Sequence, residues 1–177
     1  MLRKINAMPK SGKFPKAVIG NGTRIGNYCV IYRGTKIGKN CFLGDLCTVR
    51  EAVEIGENAT IGRGVAIENN CSIGDNARIQ TNAYITAFTS IGKNAFIGPC
   101  VITANDNFLG KKISGKKLKG PTICDNAHIG AGAIILPGIR VGKNSFVAAG
   151  SIVTKNVSDN SFVMGSPAKK QKKKEWM

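Results

Sequence analysis

The sequence predicts an all-β protein whose chain coils into a triangular prism of short parallel strands. Aliphatic residues recur every six positions, small residues usually stand four places after them, and glycine, with 22 copies in 177 residues, most often follows the aliphatic residue. A period of six fits neither a helix nor the alternation of a long strand, so each sextet is a short strand followed by a tight corner. Three sextets close one coil, and successive coils pair as parallel strands.

The repeat falls into two blocks. The first runs from Ile19 to Ile97 in fourteen aliphatic steps, and the second resumes two residues out of phase at Ile123 and continues to Val153. Twenty sextets make between six and seven coils, and the break indicates a loop excursion at about 103–121. We expect a basic N-terminal segment (1–17), a repeat domain (18–168) and a basic C-terminal tail (169–177). Long excursions from a rigid scaffold are often functional.

Three stretches of the C-terminal part of the chain carry a family resemblance: GAGAIILPG at 130–138, AGSIVTK at 149–155 and GSPAK at 165–169. With the repeat itself, they make residues 18–168 resemble the hexapeptide-repeat acyltransferases that fold as left-handed parallel β-helices. The resemblance implies the left-handed winding, a homotrimer with active sites between subunits, and acetyl-CoA as the acyl donor.

The net charge of +16 is concentrated in three places: the two chain ends and the excursion. The remaining body is nearly neutral, so the charge favours small polyanionic ligands. Few aromatic residues accompany the basic ones, which disfavours nucleic acid as a partner. No apolar run is long enough for a membrane span and no apolar signal core follows Met1, so a cytoplasmic location is expected.

The cysteines and the single histidine bear on metal and redox chemistry. Cys29, Cys41, Cys47 and Cys71 occupy the small position of the repeat, where a thiol packs as a compact apolar group. Cys100 and Cys124 form no metal or redox motif. A zinc site like that of the related β-helical carbonic anhydrases needs several histidines, and the chain has only His128, so no metal is expected.

One edge of the prism differs from the other two. Four sextets of the first block are eighteen residues apart and carry a side chain where the others mostly carry glycine: Tyr32, Arg50, Glu68 and Thr86. Two interpretations stay open at this point. Either this edge uses a different turn, or it packs against a neighbouring subunit.

The excursion supplies the first candidate catalytic residues, Asn105 and Asp106. In resembling enzymes that acylate hydroxyls, a histidine at this position is the base, because an alcohol is too weakly acidic to attack a thioester unaided. This chain has no histidine there. A neutral amine already carries a nucleophilic lone pair, so the pattern favours N-acylation, with Asn105 orienting the substrate and Asp106 as a candidate proton acceptor.

Within the family, the segment 79–85 and the Asn105-Asp106-Asn107 run are similar to the branch that N-acetylates nucleotide-linked amino sugars. This similarity implies acceptor contacts from Gln80, Asn82 and Tyr84. His128 follows the loop, where O-acetyltransferase relatives commonly carry an aromatic residue. We interpret it as a structural residue or a neighbour of the acyl donor, and as the base only in the alternative below.

The resemblance also implies the coenzyme A contacts. Backbone amides at Ala131 and Ala149 match positions that bind the pantetheine arm, and Thr154 and Lys155 match further contacts. Lys169 and Lys172 match positions where a cation meets the phosphates of the coenzyme.

The sequence therefore predicts an acyl-CoA-dependent N-acyltransferase acting on a nucleotide-linked amino sugar in glycan synthesis. The enzyme alternative is an O-acetyltransferase of a sugar or small hydroxyl compound with His128 as base. The non-enzyme alternative is a basic scaffold that binds polyanions, for which polymer binding would depend steeply on salt.

Overall fold

A computed structural model describes residues 3–111, 114–115 and 117–172. Every regular element in these ranges is a β-strand, most of them two residues long, and the strands form three sheets. Sheet A contains β1 (Lys4–Ala7), β4 (Val30–Tyr32), β7 (Thr48–Val49), β10 (Ala66–Ile67), β13 (Tyr84–Ile85), β16 (Ile102–Thr103), β19 (Ile134–Ile135) and β22 (Ile152–Val153). Sheet B contains β2 (Val18–Ile19), β5 (Lys36–Ile37), β8 (Glu54–Ile55), β11 (Ser72–Ile73), β14 (Ser90–Ile91), β17 (Thr122–Ile123) and β20 (Arg140–Val141). Sheet C contains β3 (Arg24–Ile25), β6 (Phe42–Leu43), β9 (Thr60–Ile61), β12 (Arg78–Ile79), β15 (Phe96–Ile97), β18 (His128–Ile129), β21 (Phe146–Val147), β23 (Phe162–Met164) and β24 (Lys169–Gln171).

The chain visits the sheets in the order B, C, A, and each circuit is one coil of a parallel β-solenoid. Neighbouring strands pair in parallel eighteen residues apart, as with Ile31 and Val49 in sheet A or Ile55 and Ile73 in sheet B. The second residue of each strand points inward, and these residues stack into one buried aliphatic column per sheet. The all-β triangular fold predicted from the sequence is confirmed, and the solenoid is consistent with the left-handed β-helix.

The corners share one turn. The residue three places after the inward aliphatic has a left-handed backbone at all three edges, as at Asn40 (φ 55°), Leu46 (φ 64°) and Ala52 (φ 55°). Asparagine tolerates this conformation better than most residues and dominates the edge between sheets B and C. There the side-chain amides form a ladder, with Asn94 donating to Asn126 and Asn126 to Asn144, each at 3.1 Å.

The four cysteines of the small position are buried, as predicted. Burial raises the pKa of the Cys47 thiol to about 12 and that of Cys71 to about 11. Both thiols are therefore protonated at neutral pH and serve as core packing groups.

Both ends of the solenoid carry elements beyond the regular repeat. β1 comes from the basic N-terminal segment and extends sheet A by pairing in parallel with β4. At the other end β24 turns back and pairs antiparallel with β23, so Met164 lies opposite Lys169. Residues 173–177 of the predicted basic tail lie outside the described residues.

The first block of the repeat extends one strand beyond Ile97, the last position identified from the sequence. Thr103 occupies the inward position of β16 and is buried. A threonine takes this position because its hydroxyl bonds to the coil below, accepting from the Thr86 backbone N–H at 2.8 Å. The chain leaves the solenoid after Thr103 and returns at Thr122, which pairs with Ser90.

Candidate active site

The outward side chains give the three sheets different surfaces. Sheet B presents mainly charged or hydroxyl-bearing side chains, namely Val18, Lys36, Glu54, Ser72, Ser90, Thr122 and Arg140. Sheet A presents mainly apolar ones, namely Val30, Thr48, Ala66, Tyr84, Ile102, Ile134 and Ile152. Sheet C presents aromatic and basic ones, namely Arg24, Phe42, Thr60, Arg78, Phe96, His128, Phe146 and Phe162. Sheet B is therefore the face suited to exposure to water, whereas the apolar and aromatic side chains of sheets A and C are suited to contact with another molecule.

His128 lies within an aromatic stack on sheet C. Its ring is 4.8 Å from that of Phe146, nearly parallel at 9°, and 6.0 Å from that of Phe96. Burial, and secondly the charge of Arg78, lowers the pKa of His128 below its usual value of 6.5. The imidazole is thus neutral at pH 7 and chemically able to accept a proton. Among the described residues, none hydrogen-bonds to its ring nitrogens, so no carboxylate orients it as in a catalytic dyad.

An apolar groove of about 480 Å³ runs along the upper part of sheet C. Its walls come from four consecutive strands, β15, β18, β21 and β23, and from the corners that follow β18 and β21. They include Phe96, His128, Phe146, Ala149 and Met164. The stack that holds His128 therefore forms part of the wall of the groove. The aromatic residues Phe96 and Phe146 were not singled out in the sequence, although both immediately precede an inward aliphatic, as His128 does.

Ala131 and Ala149 are exposed on successive corners of the C/A edge, where sheet C passes into sheet A. At the corresponding position of some other corners, an aspartate in the next coil accepts from the backbone N–H, as Asp125 does from Lys93 at 3.0 Å. Among the described residues, none accepts from the N–H of Ala131 or Ala149. Two uncapped backbone donors thus lie one coil apart, which suits a ligand with carbonyl or amide oxygens.

A second cavity, of about 310 Å³, lies at the C-terminal end of the solenoid. Lys155 and Lys169 both line it, together with Lys170, Ser158 and Ser161. The cavity therefore brings Lys169, one of the two lysines expected near the phosphates of coenzyme A, together with Lys155, which is expected to make a further contact with the coenzyme. Thr154 and Lys172 are exposed and do not line this cavity.

The excursion begins with a fixed turn. The Asp106 carboxylate accepts from the backbone N–H of Phe108 with one oxygen and from that of Gly110 with the other, each at 2.7 Å. Asn105 is half-buried, and its side-chain amide donates to the carbonyl of Ala87 at 3.3 Å. The N–H of Lys119 donates to the carbonyl of Asn105 at 3.0 Å and closes the base of the excursion. Lys112 and Lys116 of the basic stretch lie outside the described residues.

The three predicted acceptor contacts take different positions. Gln80 is half-buried at the C/A edge. In the neighbouring coils the equivalent position is glycine, at Gly62, Gly98 and Gly130. Asn82 is the left-handed residue of the same corner (φ 58°), so its backbone conformation alone accounts for an asparagine there. Tyr84 projects from sheet A, and burial followed by the charge of Glu68 raises its pKa.

The unusual edge identified in the sequence is the A/B edge, where sheet A passes into sheet B. Its left-handed corner residue matches that of the other edges, so a different turn does not account for its side chains. Arg50 bonds to Glu51 with two nitrogens at 2.9 and 3.1 Å, reaches Glu68 at 3.4 Å, and lies 4.9 Å from the ring centroid of Tyr32. The charged and aromatic side chains at this edge thus find their interaction partners within a single chain.

Residues 16–51, 34–69, 52–87, 70–105 and 120–155 match the family described as bacterial transferase hexapeptide (six repeats). The matches overlap and together span well over half of the chain. The chain belongs to the bacterial transferase hexapeptide family. This confirms the resemblance stated from the repeat and from the three C-terminal stretches.

Known proteins with similarity to this hexapeptide transferase include enzymes of both acyl-transfer types. A galactoside O-acetyltransferase of Lactococcus lactis is 43% identical over 49 residues, which are 28% of this chain and 24% of the relative. The chain thus spans about a quarter of the length of that curated relative. A solved galactoside acetyltransferase in complex with coenzyme A is 30% identical with a TM-score of 0.57, covering 68% of this chain and 64% of that one.

A third comparison shows the fold alone. The solved structure is that of a single-residue variant of AntD, an N-acyltransferase from Bacillus cereus, in complex with dTDP-4-amino-4,6-dideoxyglucose and coenzyme A. It has a TM-score of 0.57 at 22% identity and covers 88% of this chain and 82% of that one.

The hexapeptide solenoid separates its candidate residues along two edges and two faces, with Tyr84 on sheet A. Ala131, Ala149 and Gln80 lie at the C/A edge, Asn105 and Asp106 at the A/B edge, and His128 on sheet C. Because the first two groups flank opposite sides of sheet A, one chain does not assemble them into one site. Across the described residues, there is neither a cluster of three metal-binding side chains nor a helix capable of spanning a membrane.

Proposed function

We propose that this protein is an acyl-CoA-dependent N-acyltransferase, with acetyl-CoA as donor, that acylates the amino group of a nucleotide-linked amino sugar. The observation that carries the proposal is the chemistry of the loop mouth. Asn105 and Asp106 lie there without an imidazole, and the one histidine of the chain is stacked between Phe96 and Phe146 on another face. A site lacking a strong base is suited to an amine and ill suited to a hydroxyl.

The reaction needs little from the protein beyond positioning. The amine nitrogen forms a bond to the thioester carbonyl carbon, the carbon–sulfur bond breaks, and the proton lost from nitrogen ends on the released thiol. Asn105 orients the sugar through its side-chain amide. Asp106 holds the turn that carries Asn105, since both of its oxygens already accept backbone N–H groups. Orientation of this kind can contribute much of a rate enhancement.

The donor site is proposed along the C/A edge and the C-terminal cavity. The uncapped N–H groups of Ala131 and Ala149 would bind amide oxygens of the pantetheine arm. Lys169 and Lys172 would contact the phosphates, and Thr154 and Lys155 would make further contacts with the coenzyme. Lys155 and Lys169 line one cavity. Because Lys is a point charge on a flexible stem, such contacts contribute affinity more than geometry.

The acceptor is proposed as an anionic sugar nucleotide. A net charge of +16, with its excess at the ends and the excursion, favours two polyphosphate substrates. Gln80, Asn82 and Tyr84 are the proposed acceptor contacts.

The proposed active unit is a homotrimer with active sites between subunits. Its support is the separation of the candidate residues, because Asn105 at the A/B edge and Ala131 at the C/A edge lie on opposite sides of sheet A. A neighbouring copy can bring the donor residues of one chain to the loop of another. The apolar outward side chains of sheets A and C are suited to such contacts.

The test measures thiol release from acetyl-CoA against nucleotide-linked sugars supplied in matched amino and hydroxyl forms. We expect turnover of the amino form only. Asn105→Ala should lose about 100-fold or more in kcat/KM, since it removes an orienting contact at the reacting group. Asn107→Ala, an exposed asparagine in the same loop, is the matched control and should keep most activity. Turnover confined to hydroxyl forms would overturn the proposal.

Two observations favour a second candidate, O-acetylation with His128 as base. The lowered pKa of His128 leaves the imidazole neutral at pH 7, and a matching relative is a galactoside O-acetyltransferase. In this case hydroxyl turnover disappears in His128→Ala. Under the N-acyl proposal the same variant loses only a modest part of its activity.

A further inference from the structure

We propose that the N-terminal end of the solenoid binds an anionic lipid bilayer, with its lysines against the headgroups and its aliphatic side chains in the interface below them. This end consists of β1, the segment 8–17 and the first strands of the other two sheets, β2 and β3. We call it the N-terminal face. The inference goes beyond the proposed function, because no candidate residue of the acyl-transfer site lies on this face.

The aliphatic core is partly open at the N-terminal face. Ile5 pairs with Ile31 and so takes the inward position of the first strand of sheet A, yet it is 40% exposed, whereas Ile31 in the next coil is fully buried. Ile19, in the first strand of sheet B, is half-buried. Repeat proteins usually need a polar outer face on their terminal repeats to stay soluble. An end that exposes part of its core is therefore suited to contact with another molecule.

Further apolar side chains surround this opening. Met8 directly follows β1 and is 71% exposed, and Val18 is exposed at the rim. The exposed Tyr28 lines a recess of about 260 Å³ together with Arg3 and Lys4. Tyrosine is enriched where membrane meets water, because its ring is apolar and its hydroxyl is polar. The face thus combines aliphatic groups with an interfacial aromatic residue and cations.

The charge of this end has a single sign. Before Asp45 the chain contains nine basic residues and no acidic one. The basic residues are Arg3, Lys4, Lys10, Lys13, Lys16, Arg24, Arg33, Lys36 and Lys39. The next stretch, 45–106, instead contains seven acidic and four basic residues. The positive charge is therefore a property of the N-terminal end and does not continue into the coils that follow.

The lysines between β1 and β2 are available to a partner. Lys10, Lys13 and Lys16 are exposed, and among the described residues no carboxylate forms a salt bridge with them. In the next coil, by contrast, Lys36 already pairs with a glutamate. A lysine near an anionic membrane surface contributes about 1 kcal/mol of attraction. Three such lysines on one segment are enough for reversible binding when apolar contacts add to them.

The segment that carries Met8 and these lysines is held in place. The backbone N–H of Arg33 donates to the carbonyl of Ala7 at 3.0 Å. Nε of the same arginine donates to the carbonyl of Phe14 at 2.8 Å. Arg33 thus fixes both ends of the loop 8–13, so the loop loses less conformational entropy on binding than a free terminus would.

The composition of the N-terminal face favours a bilayer over other partners. Surfaces that bind single-stranded nucleic acid combine basic residues with aromatic side chains that stack on bases. Here the exposed apolar residues beside the lysines are mainly aliphatic, and Phe14 is half-buried against Gly34. A second copy is disfavoured, because two such ends would bring like charges together. Lysines beside aliphatic groups are typical of proteins that bind the interface of anionic membranes.

The N-terminal face is well separated from the excursion. Asn105 follows β16, the sixth strand of sheet A counted from β1. With about 4.8 Å between neighbouring strands, the separation along the axis is roughly 24 Å. This exceeds the screening length of about 8 Å at physiological salt, so lysines of the excursion serve as a matched comparison for those of the N-terminal face.

Flotation of the full chain with lipid vesicles tests the inference. Wild type should float with vesicles of equal parts phosphatidylcholine and phosphatidylglycerol, less so at high salt, and should not float with phosphatidylcholine alone. Lys10→Gln combined with Lys13→Gln should lower the partition coefficient by about tenfold or more. Lys111→Gln combined with Lys117→Gln removes the same charge from the excursion and should lower it clearly less. Equal losses in the two double variants, or equal flotation with both kinds of vesicle, overturn the inference.

A second pair of variants measures the apolar contribution. Met8→Gln leaves the net charge unchanged and should lower the partition coefficient by about threefold or more, because it removes an exposed apolar side chain from the interface. Leu109→Gln, at a 92% exposed position of the excursion, is the matched control and should change it little. Circular dichroism verifies that every variant is folded. An unchanged coefficient in Met8→Gln, or an equal loss in the control, overturns the apolar contact that we infer.

Other polyanions are separate arms of the same experiment. Retention of wild type on single-stranded DNA or on polyglutamate without flotation would assign the face to another class of partner and overturn the inference. Thiol release from acetyl-CoA with soluble acceptors is scored independently. An active protein that does not float fails this inference alone, and a protein that floats without N-acylation fails the proposed function alone.

Discussion

The backbone N–H of Thr86 donates to the side-chain hydroxyl of Thr103 at 2.8 Å. In the two coils below, the equivalent N–H groups of Arg50 and Glu68 donate to backbone carbonyls, those of Ile67 and Ile85, at 2.9 and 2.8 Å. The hydroxyl therefore replaces a main-chain acceptor where the chain begins to leave the solenoid. It also donates to the carbonyl of Tyr84 at 3.3 Å, so both of its hydrogen-bonding functions are used.

Thr103→Val should destabilise the protein by about 1–3 kcal/mol, because it leaves the buried N–H of Thr86 without a partner. Urea unfolding of the whole chain measures the change. Thr103→Ser keeps the hydroxyl and should cost clearly less. If the valine variant is as stable as wild type, the Thr86 N–H does not depend on the Thr103 hydroxyl as its hydrogen-bond acceptor.

Asp106 is expected to act as the anchor of the excursion. Asp106→Asn retains one accepting oxygen and should keep at least about a tenth of the acyl-transfer activity, since one neutral hydrogen bond contributes roughly 1 kcal/mol. Asp106→Ala removes both acceptors and should lose more. The measurement is kcat/KM against pH for both variants. A loss above about 100-fold in Asp106→Asn would assign the carboxylate as proton acceptor.

His128 should make the stability of the protein depend on pH. Burial and Arg78 lower its pKa in the folded state below 6.5, so the fold favours the neutral ring. The stability that this provides is present above pH 6.5 and is lost as the pH falls through the lower folded value. Thermal unfolding between pH 7 and pH 5 should show this loss in wild type and a smaller one in His128→Phe, whose ring can stack between Phe96 and Phe146.

Arg50 should contribute more to stability than an exposed ion pair does. Burial raises the pKa of Glu51, but the hydrogen bond from Arg50, a backbone hydrogen bond and the charge of Arg50 together leave the pKa below its usual 4.5. Arg50→Ala should therefore cost about 2 kcal/mol at pH 7, and less as the pH falls through the lowered pKa of Glu51, below which the carboxylate is protonated in both states.

Lys36→Ala is the matched control for Arg50. Its 2.7 Å bond to Glu54 joins two side chains that are both about two-thirds exposed. Removing such a pair should change the free energy of unfolding by less than about 1 kcal/mol. Similar losses for the two variants would contradict the assignment of a partly buried network at the A/B edge.

Much of the solenoid could be predicted because each coil repeats the same local requirement. Ile61 and Ile79 pair in adjacent coils, and both fill the inward position with an aliphatic side chain. Because this requirement recurs every six residues, the sequence reveals it without long-range information. Thr103 was missed because it meets the rule through a hydrogen bond rather than an aliphatic side chain. β24 was missed because its antiparallel pairing depends on a turn at the end of the repeat and on no periodic signal.

The candidate site was less predictable than the fold. The sequence identified Asn105 and Asp106 by their place in the excursion, but the bonds from Phe108 and Gly110 that make Asp106 an anchor depend on loop geometry. His128 was visible as the only histidine. Its neighbour Phe96 is 32 residues away because the excursion intervenes, so the regular eighteen-residue spacing did not point to it.

The pairing of Ser90 with Thr122, and of Ile91 with Ile123, closes the solenoid across the excursion in the regular register, although these partners are 32 residues apart and those of an uninterrupted coil are 18 apart. Because the entropy of closing a loop grows only slowly with its length, this joint should accept excursions of other lengths and compositions at small cost in stability. Under the proposed function, substrate choice would depend on the excursion and structural integrity on the coils. Exchanging the excursion as a cassette should alter which molecules are acylated while the coils on either side keep their register.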